Sequence, residues 1–175
     1  MSPLQKIAMG LVIVVIDADL RGFDAVPDVA GWVLVLAGLR ALRGLVVGFR
    51  TLLTLAAASA LAAVVLLWPG LADSLAETTG WLFSLPQLAF CIVLCGALAT
   101  MAGHHDAAVA RRFSALRWLF VGLLFAPAVL YGGGVEALLV PVSVVTVATN
   151  VYLVYLLFMT SSAPYAMVRP DVPVG

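Results

Sequence analysis

Long apolar segments without a polar face dominate the pattern of this chain. Stretches such as Leu11 to Ile16 and Val64 to Trp68 are apolar on every side of a helix, whereas a surface helix of a soluble protein carries its apolar residues on one face. A helix needs about 20 residues, within a range of about 17–25, to cross the hydrocarbon core of a bilayer. The pattern therefore predicts about six transmembrane helices, at approximately residues 3–20, 25–42, 51–68, 81–101, 115–131 and 137–159.

The composition of the 175 residues also indicates a membrane environment. Hydrophobic residues make up 64% of the chain and charged residues 10%, against about 45–50% and about 25% in an ordinary soluble domain. Because only short breaks separate the segments, we expect one integral membrane domain over residues 1–175, an all-α polytopic transmembrane helical bundle. The net charge of zero gives no overall attraction for nucleic acid, so we expect no nucleic-acid partner.

The distribution of positive charge between the ends of the segments predicts their orientation. Lysine and arginine accumulate in the cytoplasmic loops of membrane proteins. Only Arg21 lies at one set of ends, and the other set carries Lys6, Arg40, Arg43, Arg50, Arg111, Arg112, Arg117 and Arg169. Both termini are therefore predicted to be cytoplasmic. Since the Ala, Val, Leu and Arg bias is typical of GC-rich bacterial genomes, we expect the cytoplasmic (inner) membrane of a bacterium.

The densest group of charges lies between the first two predicted helices. A carboxylate within a bilayer costs up to roughly 2.5–3.5 kcal/mol at a helix centre, so such residues are candidates for function. One interpretation is an outer acidic site for a cation or proton that uses Asp17, Asp24 and Asp28, with Arg21 among them. In the other, which we favour, Asp17 and Arg21 form an ion pair on one helix face. Asp24 or Asp28 then caps the second helix, with Pro27 in its first turn.

The same hairpin carries a recognisable run of residues. Phe23 and Asp24, then Pro27 and Asp28, and then Gly31 follow a helix that ends in aspartate. This F-D-x-x-P-D-x-x-G run resembles the start of uncharacterised small bacterial multi-pass membrane proteins. The resemblance covers the first two predicted helices and implies a multi-pass membrane location. It implies no mechanism, because that group has no established activity.

Polar side chains recur on one face of the fourth and of the sixth predicted helix. At helical spacing, these are Ser84, Gln87, Cys91 and Cys95 in the fourth and Ser143, Thr146 and Asn150 in the sixth. Such stripes are typical of packing seams, where small residues let helices approach and interhelical hydrogen bonds form. The alternative is an intramembrane polar path lined by Gln87 and Asn150, since both amides lie well inside their predicted spans.

Few residues offer ligands for a metal or a cofactor. His104, His105 and Asp106 follow the fourth predicted helix without the further ligands that a metal site needs. Cys91 and Cys95 lie within an apolar segment and are separated by three residues rather than two, unlike a redox motif. We therefore expect no metal and no cofactor. Because the chain carries no catalytic motif, we also expect no enzymatic activity.

Two functions follow from these patterns. Each basic residue near an anionic membrane surface contributes about 1 kcal/mol of attraction. The first hypothesis, which rests on the missing catalytic motifs and on the packing seams, is a non-enzymatic interaction or accessory protein. It would associate with membrane lipids at its basic face, with another membrane protein or with a second copy of itself as a homo-oligomer. The second is a small transporter or channel for an ion or small solute. It would use Asp17, Gln87 and Asn150 along a path between the first, fourth and sixth helices.

Overall fold

The computed structural model describes residues 1–17, 26–66, 81–133 and 138–163. Within these ranges the regular structure is helical throughout, in the α-helices α1 (Pro3–Asp17), α2 (Val26–Ala41), α3 (Phe49–Leu66), α4 (Leu85–Gly103), α5 (Ala107–Gly133) and α6 (Leu139–Ser161). A 3-10 turn, Trp81–Ser84, leads into α4. The prediction of an all-α bundle of about six helices is confirmed.

The helices α1 to α5 pack mainly against their neighbours in the sequence, whereas α6 contacts α1 more extensively than it contacts α5. The pairs α1–α2 and α4–α5 make the most extensive contacts, and the α1–α6 contact closes the bundle. Trp32, Phe90, Phe113 and Phe120 are among the largest fully buried side chains. The ring of Trp32 meets that of Phe90 edge to face, with 5.5 Å between the centroids. Aromatic and aliphatic side chains therefore fill much of the interior.

The α1–α2 pair is close because glycine faces glycine across it. A Cβ atom added at Gly31 would lie 2.7 Å from the carbonyl oxygen of Gly10. One added at Gly38 would lie 2.8 Å from the carbonyl oxygen of Pro3 and 2.7 Å from a side-chain carbon of Ile7. Small residues permit such close approach of helix backbones. We call Gly10, Gly31 and Gly38 the glycine seam, and its order shows that the two helices run antiparallel.

Short polar motifs determine where α1 and α5 begin. At the start of α1, Gln5 N–H donates to the hydroxyl oxygen of Ser2, and Ser2 N–H donates to Oε1 of Gln5, which is a capping box. At the start of α5, Oδ1 of Asp106 accepts hydrogen bonds from two backbone N–H groups, at 2.9 and 3.1 Å. This cap places the beginning of α5 at Ala107, so the helix starts before the span predicted at residues 115–131 and contains it.

Four of the helices are long and apolar enough to cross a membrane. These segments are Phe49–Leu66, Leu82–Gly103, Ala107–Leu130 and Val140–Ser161. The described parts of α1 and α2 have 15 and 16 residues, fewer than the about 20 that a span needs. Large apolar side chains, among them Trp118 and Phe125, are exposed on the outside of the bundle, where lipid would cover them. The fold is compatible with an integral membrane protein, and spans at α1 and α2 remain predictions.

Candidate functional site

The predicted outer acidic site lies only partly within the described residues. Asp28 is partly buried in the first turn of α2, where an acidic side chain interacts favourably with the helix dipole. Pro27 lies in the same turn, as predicted. Asp17 is the last residue of α1, but its side chain, like Arg21 and Asp24, lies outside what the structure describes. The Asp17–Arg21 ion pair and the cation or proton site therefore remain predictions.

Gln87 and Asn150, the residues of the predicted polar path, lie at different depths. Gln87 is partly buried in the first turn of α4, and Asn150 is buried midway along α6. The pair α4–α6 is not among the extensive helix contacts. Nδ2 of Asn150 donates a hydrogen bond to the carbonyl oxygen of Thr146, one turn earlier in α6, at 2.9 Å. The extensive helix contacts therefore do not bring Gln87 and Asn150 of the predicted polar path together.

The buried hydroxyl groups also bond within their own helices. Ser59, Thr149 and Thr160 each donate to the carbonyl oxygen four residues earlier, at distances of 2.7 to 2.9 Å. Cys91 and Cys95 are buried in the hydrophobic core. These three hydroxyl groups satisfy their donors without a partner on a neighbouring helix, and the packing seams predicted on α4 and α6 stay a prediction.

The antiparallel helices bring most of the predicted basic residues to one end of the bundle. The glycine seam places the end of α2 beside the start of α1. Near the start of α5, Nη1 of Arg112 lies 4.0 Å from the sulfur of Met159, near the end of α6. We call this end the basic end, defined by Lys6, Arg40, Arg43, Arg50, Arg111 and Arg112. Of the carboxylates that the structure describes, only Asp106 lies there, and it caps α5. Within the described ranges, these basic residues have no carboxylate partner.

A cleft between α2 and α3 gathers three of these arginines. Its volume is about 520 Å³, and its lining comprises Arg40, Arg43, Phe49, Arg50 and Leu53. The connection from α2 to α3 is tight, because Gly44 and Gly48 adopt positive φ angles of 86° and 77° that side chains disfavour. The spacing of the arginines in the sequence does not predict this α2–α3 cleft. Gly44 and Gly48 are the sequence feature that indicates a tight turn there.

Arg117, predicted at the inner end of the fifth span, lies ten residues into α5 and is exposed. Its side chain lies over Gly96 of α4, where an added Cβ atom would be 3.5 Å from Nη1. Together with Gly48 and Thr100 it lines a second cleft of about 290 Å³. A long arginine side chain can cover apolar surface with its stem and keep its charged group in water.

No group of three or more His, Cys, Asp and Glu side chains in the described ranges is arranged to hold a metal ion. His104 and His105 are exposed in the turn between α4 and α5. Comparisons of the chain with protein-family models, with curated proteins and with solved structures give no match. The charge distribution and the packing of this chain are therefore the observations that bear on its function.

Proposed function

We propose that this chain is a multi-pass protein of a bacterial cytoplasmic membrane, with six spans and both termini in the cytoplasm. It acts without catalysis, by associating with anionic lipids or with another membrane protein. The observation that carries the proposal is the charge at the basic end, where basic side chains lack carboxylate partners within the described part of the chain. Uncompensated positive charge at one end of an apolar bundle suits the anionic surface of a membrane.

The energetic argument favours association at the surface. Each lysine or arginine near an anionic leaflet contributes about 1 kcal/mol, and this attraction decays within a Debye length of about 8 Å at physiological salt. The basic end presents charges on the α2–α3 turn and on the first turns of α5. Together, the several charges at the basic end attract an anionic membrane surface by several kcal/mol. This attraction is enough to enrich anionic lipids around this end.

The interior of the bundle supports association more than transport. Trp32 and Phe90 fill the space between α2 and α4. The side-chain amide of Asn150 donates one hydrogen bond within its own helix, so part of its hydrogen-bonding capacity is used there. An ion or polar solute crossing the bilayer needs polar groups along its route. These two features weigh against a solute path near the centre of the bundle.

Purification in mild detergent, with identification of the lipids and proteins that remain bound, tests this proposal. We expect the anionic phospholipid of the source membrane to be enriched over its share of the bulk lipid, or a second membrane protein to be present in fixed proportion. The bulk lipid of the same membrane preparation is the reference. A chain that purifies alone, with lipids in their bulk proportions, would contradict the proposed association.

A further inference from the structure

The helix dipoles explain the positions of only some of the three arginines of the α2–α3 cleft. Arg40 is in the last turn of α2, where a cation interacts favourably with the helix dipole. Arg50 is the second residue of α3, where the dipole disfavours a cation. All three are exposed, and within the described residues none of them forms an ion pair or a side-chain hydrogen bond. Their mutual repulsion would be relieved by an anion between them.

The chemistry of the cleft fits a phosphate group. An arginine guanidinium presents paired N–H donors that match the oxygen atoms of a phosphate, and such charge-assisted bonds are stronger than neutral ones. Phe49 and Leu53 form the apolar part of the lining, so the cleft is only partly polar. Its volume of about 520 Å³ exceeds that of a simple anion and leaves room for attached groups.

An apolar stripe on α3 runs away from the arginines along the outside of the bundle. Leu53, Ala57, Leu61 and Val64 follow one another on one helix face. Leu61 is 64% exposed and Val64 is 46% exposed. The stripe extends over roughly 16 Å at about 1.5 Å per residue, which is about half of the ~30 Å hydrocarbon core. One acyl chain in one leaflet would cover this length.

We infer that the α2–α3 cleft binds one anionic phospholipid, with its phosphate between Arg40, Arg43 and Arg50 and an acyl chain along the stripe that ends at Val64. Charge alone would suit a free phosphate equally well, but the exposed apolar stripe directly below the arginines favours the lipid. This inference rests on the proposed association with anionic lipids and narrows that association to one place on the molecule.

Two double variants separate a specific site from a general effect of charge. Arg43→Gln with Arg50→Gln removes two charges from the cleft, and Arg111→Gln with Arg112→Gln removes two charges from the same end of the bundle but outside the cleft. All four arginines are exposed, so the fold should persist, which helical circular dichroism and the melting temperature check. If the cleft double variant unfolds, Arg43→Gln alone is compared with Arg111→Gln alone.

Binding of added phosphatidylglycerol to the delipidated protein in detergent is measured by native mass spectrometry, with phosphatidylcholine and inorganic phosphate as the other probes. We expect one phosphatidylglycerol to bind more tightly than phosphatidylcholine. We expect the cleft double variant to weaken this binding by roughly tenfold or more, while the control double variant changes it by less than about threefold. We also expect Leu61→Asn to weaken phosphatidylglycerol binding and to leave unchanged the binding of inorganic phosphate to the protein.

Each contrary outcome has a distinct meaning. Equal weakening in both double variants would overturn the cleft as a site and leave the general association with anionic lipids standing. Complete displacement of phosphatidylglycerol by inorganic phosphate, with no effect of Leu61→Asn, would overturn the assignment to a lipid in favour of a free anion. A protein that binds phosphatidylglycerol no better than phosphatidylcholine would overturn both this inference and the proposed association with anionic lipid.

Discussion

The glycine seam between α1 and α2 should not tolerate a single added methyl group. In Gly31→Ala the new Cβ atom would lie 2.7 Å from the carbonyl oxygen of Gly10 and 2.8 Å from Cγ2 of Val14. One of these neighbours is backbone, so it cannot move aside without moving α1. Gly122 in α5 provides the matched control, because a Cβ atom added there meets no atom within 4 Å.

The size of the effect follows from these distances. Non-bonded carbon atoms pack best at about 3.5–4.0 Å, so the contact of 2.8 Å with Cγ2 of Val14 would have to lengthen by roughly 0.7 Å. Overpacking of this kind typically costs about 1–3 kcal/mol. Replacing glycine by alanine also favours the helix by about 0.8–1.0 kcal/mol, but this gain applies equally at Gly122 and cancels in the comparison. We expect Gly31→Ala to lower the free energy of unfolding by about 1–3 kcal/mol relative to Gly122→Ala.

Equilibrium unfolding by a denaturing detergent, followed by helical circular dichroism, measures this difference. The two variants differ by the same chemical change, so their denatured states should be closely similar. Gly38→Ala should behave like Gly31→Ala, because its Cβ atom would lie 2.8 Å from the carbonyl oxygen of Pro3. If Gly31→Ala were as stable as Gly122→Ala, the close approach of α1 and α2 would be refuted.

Three further substitutions test other parts of the structure. Trp32→Leu and Phe90→Leu should be coupled by about 0.5–1.5 kcal/mol in a double-mutant cycle of unfolding free energies, since their rings meet edge to face; strictly additive losses would speak against that contact. Asp106→Ala should lower the unfolding free energy by about 0.5–2 kcal/mol, because α5 loses its cap, and an unchanged value would show that the cap is not formed. Asn150→Leu should leave the lipids and proteins that co-purify unchanged, because its amide donates within α6; loss of a bound lipid or partner would contradict this.

The existence and approximate limits of the helices could be predicted from the sequence, because the apolar segments are long and the breaks between them are short. The second segment was predicted at residues 25–42 and α2 is Val26–Ala41, with Pro27 in its first turn as expected. The fifth span was predicted from residue 115 because Arg111 and Arg112 interrupt the apolar pattern, whereas α5 itself begins at Ala107. Both arginines are exposed on a helix that Asp106 already starts, and a helix can continue beyond the apolar core of a membrane.

The contacts between helices could not be predicted from the sequence. Gly31 and Gly122 look alike as single glycines in apolar segments, yet one faces the backbone of Gly10 and the other faces open space. Only the relative position of two helices distinguishes them. The same holds for Arg43 and Arg50, whose shared cleft depends on the backbone path of the turn between α2 and α3. The pattern of apolar and polar residues along the sequence indicates whether a residue lies in an apolar environment. Which residues of two different helices meet is determined only by the packing of those helices.

Single-cysteine labelling tests most directly the claim that the basic end lies at the cytoplasmic surface of the membrane. The native Cys91 and Cys95 are buried and should not react with a membrane-impermeant maleimide while the protein is folded. Val47→Cys places a thiol at a position 73% exposed in the α2–α3 turn, and Ser74→Cys places one in a segment that the sequence predicts to be outside. We predict that Val47→Cys is labelled only after the cells are permeabilised, and that Ser74→Cys is labelled in intact cells. Labelling of Val47→Cys in intact cells would contradict the account.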